Sequence, residues 1–113
     1  MDYTNRLTAL QTHLEALQDL DISKTARYIS VDAVKELIEA EPALVDDPIL
    51  FKHSRHLYNM IHGYAGRTRH LETERRIIKE MLNRVRGRQE YDLAMTKYLE
   101  QFIEDVFESY NQA

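Results

Sequence analysis

The 113-residue chain has no cysteine and no tryptophan, and only three glycines and two prolines. Without cysteine there is no disulfide, no thiolate metal site and no cysteine nucleophile. So little Gly and Pro, beside 43% apolar and 30% charged residues, excludes collagen-like, low-complexity and wholly disordered chains. No run approaches the roughly 18 consecutive apolar residues of a membrane-spanning helix. The opening MDYTNRLTALQTHLEAL lacks the basic region and apolar run of a secretory signal. These absences set the expectation of a cytoplasmic protein folded as one domain over residues 1–113. A phosphate loop, a dinucleotide fingerprint and a G-x-S-x-G nucleophile turn are missing too, so no cofactor and no serine chemistry is expected.

What the chain does have is helical periodicity almost throughout. Tyr3, Leu7, Leu10, Leu14 and Leu17 recur at steps of 4, 3, 4 and 3, a narrow seam for packing on other helices, with Asp2 or Thr4 to cap it. A second helix is expected between Ser23 and Glu41, with Ala26, Ile29, Ala33, Leu37 and Ala40 as its inner stripe and Pro42 as its stop. Asp47-Pro48 is the clearest start signal, because Asp caps and Pro at the first helical position loses no hydrogen bond. Leu50, Leu57, Ile61 and Tyr64 follow on one side, and Gly63 and Gly66 offer an exit. A fourth helix is expected from Leu71 to about Arg86, with Ile77, Ile78, Met81, Leu82 and Val85 inward, Glu72–Arg76 and Glu80–Arg84 as ion pairs, and Gly87 able to end it. A last helix from Gln89 to about Tyr110 carries Tyr91, Met95, Tyr98, Phe102, Val106 and Tyr110 on one face, widened by Leu99, Ile103 and Phe107. Core packing with tyrosine hydroxyls at the rim is the default for that face, and its width leaves open a partner or homodimer surface. The fold class is therefore all-α, an antiparallel helical bundle of four to five helices.

Charge is segregated along the chain. Residues 1–50 are net −6, residues 51–88 net +7 and residues 89–113 net −5, giving the overall −4. Pairing of the basic segment with acidic neighbours across the bundle is the favoured explanation; a basic face for an anionic partner is the alternative. Overall acidity argues against general nucleic-acid binding.

Two motifs could carry chemistry. His53 and His56 share a helical face, but no third ligand completes a metal site, so none is expected. Arg55 followed by His62 resembles the R-x(4–6)-H motif of the HEPN ribonuclease superfamily. That resemblance implies an Arg stabilising charge on an RNA phosphate and a His moving a proton. Seven positions of continuous helix set the two about 10 Å apart along the axis.

From Ile22 to Arg86 the chain resembles the enterocin A and pediocin-type bacteriocin immunity proteins. The resemblance rests on Ile22-Ser23-Lys24 after the first helix, the Asp47-Pro48 start, and Leu57, Tyr58, Ile61 and Tyr64 in the helix that follows. Arg67 and Arg69 then lead into a helix opening with acids and continuing in Ile77, Ile78, Met81 and Leu82. The chain departs from the family in being acidic and Arg-rich, and in an ordered amphipathic segment at residues 89–113. The resemblance implies a cytosolic, non-enzymatic four-helix bundle that protects a producer cell. It would act at the inner membrane face on a permease complex engaged by the bacteriocin. Specificity in that family lies in the C-terminal half, which here implies Arg84, Arg86, Arg88, Tyr91 and Tyr98 as partner-binding residues. The alternatives are a ribonuclease using Arg55 and His62, and a bare helical adaptor.

Overall fold

The computed structural model describes residues 2–63 and 69–112. Among them are five helices: α1 (Tyr3–Gln18), α2 (Lys24–Glu39), α3 (Pro42–Val45), α4 (Pro48–Gly63) and α5 (Leu71–Gln112). No described residue is in a strand. Tyr64, Gly66 and Arg67, expected in the helix-three exit and the basic turn, lie outside the described residues.

Local chemistry accounts for the helix starts. The Asp2 carboxylate accepts the Asn5 N–H at 2.8 Å, and the Ser23 hydroxyl accepts the Ala26 N–H at 3.1 Å. Pro42 stops α2 and opens the single turn of α3. One Asp47 carboxylate oxygen accepts the N–H groups of Ile49 and Leu50 at 3.1 and 3.3 Å, starting α4 directly at Pro48. Arg69 makes a two-pronged ion pair with Glu74, which is buried in the first turn of α5.

α1, α2, α4 and the first half of α5 close an antiparallel ring. α1 packs on α2 and α5, α4 packs on α2 and α5, and α3 bridges α2 and α4. Leu7, Leu10, Leu14 and Leu17 are buried at its centre, as their spacing predicts. They share one core cluster with Leu50, Leu57, Met60 and Ile61 of α4 and the Ile77–Val85 stripe of α5.

Two expectations are corrected. α2 turns another face inward: Ser30, Val31, Val34 and Ile38 are buried, while Ile29 is 60% exposed and Ala40 is exposed. Two stripes with the same 3/4 spacing compete on this helix. The β-branched one prevails because Val and Ile bury more apolar area than the alanines that dominate the other. The second correction is at Gly87, which does not end a helix. α5 runs unbroken for 42 residues, because the good helix formers Arg84, Arg86, Arg88 and Gln89 around Gly87 outweigh the roughly 1 kcal/mol that a mid-helix Gly costs.

Burial on α5 stops at Val85. Residues 89–112 continue as a free-standing arm of about 36 Å at 1.5 Å per residue, and the molecule measures 73 × 25 × 22 Å. No helix among the described residues is long and apolar enough to cross a membrane.

Candidate functional site

Asp47 is the buried centre of a polar network. Its side chain is fully buried. One oxygen caps α4; the other accepts from Arg84 Nε at 2.8 Å and from Arg88 Nε and Nη2 at 3.3 and 3.0 Å. Arg88 Nη1 also donates to the Tyr3 hydroxyl at 3.1 Å. Burial pushes the Asp47 carboxyl up. Hydrogen bonds from Arg84, Arg88 and the Leu50 N–H, with the charge of Arg84, more than offset this and hold it below the usual 3.8. Burial likewise pushes the Arg88 guanidinium down, and Tyr3 and Asp47 more than offset it, so its pKa is raised.

The residues implied as partner-binding therefore divide. Arg84 and Arg88 clamp α5 to the start of α4, and Arg86 lies 3.5 Å from Glu15 of α1. Tyr91 and Tyr98 are 64% and 65% exposed on the arm. Between the two groups is an open cleft of about 410 Å³ lined by Tyr3, Asn83, Arg84, Gly87, Arg88 and Tyr91, among others. The sequence does not point to Tyr3 or Asp47 as site residues. Only the Asp-Pro cap signalled Asp47, and a cap alone does not reveal two arginines from 37 and 41 residues away.

Arg55 and His62 both face α2 from the unbroken α4 helix, and each meets a carboxylate there. Arg55 Nε is 3.6 Å from Glu39, and the guanidinium lies over the Phe51 ring at 4.7 Å. His62 Nε2 donates to Asp32 at 2.6 Å, and its ring stacks on Tyr28 at 4.9 Å and tilts against Tyr58 at 4.4 Å. The two positions are two turns apart, about 10.5 Å along the axis. An incoming phosphate would have to displace Glu39 from Arg55 and would meet the Asp32 charge beside His62. These contacts account for the two residues as α2–α4 cross-braces.

Two other histidines are also engaged. His53 pairs with Glu80 of α5, so Glu80 does not serve Arg84, and His13 is 3.3 Å from the Ser30 hydroxyl. His56 is exposed. Among the described residues no three His, Asp or Glu side chains converge as a metal site. Thermal melts with and without a chelator should coincide; a drop of several degrees on chelation would show a stabilising metal.

The remaining feature is the arm. Ten large apolar side chains between Tyr91 and Tyr110 are exposed, from 39% at Met95 to 83% at Tyr110. Elsewhere among the described residues only Leu20, Ile29, Ile49 and Leu71 join them, and these are dispersed along the chain. A contiguous apolar patch this large is a mark of an interaction site. The expected core packing of Tyr91, Tyr98 and Tyr110 is thus replaced by exposure, because the bundle ends before the stripe does. No family model, curated protein or solved structure matches the chain.

Proposed function

We propose that this chain is a non-enzymatic helical binding module that presents the apolar face of α5, residues 91–110, to a protein partner. The observation that carries the reading is the continuous exposed stripe on an arm whose backbone is already ordered as helix. A preformed amphipathic helix lays its apolar face into a partner's groove with less ordering cost than a disordered segment. Its acidic rim, with Lys97 as the one base after Arg88, suits a partner bearing basic groups around an apolar groove.

The specific form we propose is the one the bacteriocin-immunity resemblance implies: protection of a producer cell through contact with a permease complex at the inner membrane face. A specificity-determining C-terminal half agrees with contact residues on the arm, Tyr91 and Tyr98 among them. Charge reversal at Arg84 or Arg88 would not test this, since both hold buried Asp47.

The test is expression in a host sensitive to class IIa bacteriocins. Wild type should be non-toxic and confer resistance. Arg55→Ala and His62→Ala should protect equally well. Phe102→Asp should abolish protection while the purified variant keeps its helical signal. Toxicity with RNA cleavage that His62→Ala removes would establish the ribonuclease instead. If neither toxicity nor resistance appears, the immunity form is lost and a helical adaptor remains.

A further inference from the structure

Resting on the reading of the arm as a contact surface, we infer that its first occupant is a second copy of this chain, paired antiparallel about a two-fold axis near the Glu100–Gln101 peptide.

The placement of the apolar residues is self-complementary about that point. At 100° per residue, Met95, Leu99, Phe102 and Val106 fall within about 60° of one another and form the centre of the stripe. Met95 and Val106 lie equally far on either side of the Glu100–Gln101 peptide, as do Leu99 and Phe102, and Tyr91 and Tyr110. An antiparallel copy therefore sets Met95 level with the second copy's Val106, and Leu99 level with its Phe102. An isologous contact requires this reciprocity. A parallel pair would place the two bundles side by side at the same end, with every acidic position level with itself.

Length and area agree with the pairing. The register brings the arm's tip, at Tyr110, level with the second copy's Tyr91, where the bundle begins. The cleft beside Tyr3 and Gly87 opens there, and a Cβ on Gly87 would meet nothing within 4 Å. Large aromatic side chains bury roughly 150–250 Å² each. Tyr91, Tyr98, Phe102 and Tyr110, each more than half exposed, thus offer on the order of 500 Å² per copy, and Met95, Leu99, Ile103 and Val106 bring the face close to the about 800 Å² of a standard interface.

Charge distinguishes this occupant from others. Glu90, Glu100, Glu104 and Glu108 lie about 100° or more from the central residues, on the outward side of a pair, while Asp105 flanks the stripe and Asp92 projects about 20° from Leu99 near its bundle end. Two arms of net −5 still repel at long range, so added salt should tighten the pair; association with a basic partner would weaken. Helices that lie on membranes carry Lys and Arg on their polar face, whereas this polar face is acidic.

The experiment is sedimentation equilibrium of the full chain at about 150 and 500 mM salt. We expect twice the chain mass of 13.4 kDa, with tighter association at the higher salt. Leu99→Asp brings two new carboxylates near the axis and should weaken the dimer roughly 100-fold or more. Because Leu99 is exposed in the monomer, the variant should keep its helical circular dichroism, and Leu99→Met should dimerise like wild type. In this cysteine-free chain, oxidised Met95→Cys/Val106→Cys should run as a covalent dimer. Met95→Cys alone should not, since its two copies would be about 16 Å apart along the axis. The inference is overturned by a wild type that stays monomeric to about 100 µM at both salts, by an undiminished Leu99→Asp dimer, or by cross-linking of Met95→Cys alone. It is equally overturned by a monomer that instead sediments with anionic phosphatidylglycerol vesicles. A monomeric wild type that still protects cells through Phe102 would overturn the self-pairing and leave the binding-module reading standing.

Discussion

Asp47→Ala should lower the stability of the fold by about 3 kcal/mol, measured by denaturant unfolding at neutral pH. The substitution removes the side-chain cap of α4, about 1 kcal/mol by itself. It also removes the shared acceptor of Arg84 and Arg88. Breaking a buried ion pair costs about 3–5 kcal/mol when the remaining charge stays buried. Here the remaining charges belong to arginines that are 49% and 27% exposed and can turn to water, so the lower end applies. Asp47→Asn should lose less, because the amide oxygen can still cap, while the charge-assisted bonds to both arginines are gone. A loss under about 0.5 kcal/mol for the alanine variant would mean that α4 and α5 are held together without this node.

Acid should erase the difference between wild type and Asp47→Asn. The native carboxyl is held below its ordinary value, so it contributes stability fully above the unfolded pKa of about 3.9 and loses it as pH falls through the native one. Wild type should therefore exceed Asp47→Asn by a constant margin between pH 7 and about 5, and the margin should shrink below about pH 4.

Leu14→Ala should cost about 3–4 kcal/mol. Leu14 is completely buried in the α1 seam, and deleting most of its side chain loses transfer energy and leaves a cavity that neighbouring helices fill only partly. Ile29→Ala on α2 is the matched control. Its side chain is 60% exposed, so the loss should stay within about 0.5 kcal/mol. If Ile29→Ala proved as costly as Leu14→Ala, the inward face of α2 would be the alanine-rich stripe that the spacing alone suggested.

α1 was legible in sequence because Leu7, Leu10, Leu14 and Leu17 form the single apolar stripe that Tyr3–Gln18 can turn inward. The start of α4 was legible because Asp-Pro encodes its cap and its first residue together. These are local properties, and local backbone chemistry suffices to express them. α2 was not legible to the same degree. Its two stripes obey the same period, and the choice between them depends on which one fits against α1 and α4, which pack on it from elsewhere in the chain.

The candidate site was decided almost entirely by tertiary structure. Arg84, Arg86 and Arg88 form a basic cluster in sequence, yet folding brings Asp47 and Glu15 to them and turns the cluster into bracing. Arg55 and His62 carry a nuclease-like spacing, yet α2 supplies Glu39 and Asp32 opposite them. The last apolar stripe has the period of a core-facing helix, and period reports that a face avoids water without reporting what covers it. α1, α2 and α4 come to an end beside the first four turns or so of α5. The sequence by itself therefore determined that residues 91–110 would form an amphipathic helix, and the length of the neighbouring helices decided that its apolar face would stand free.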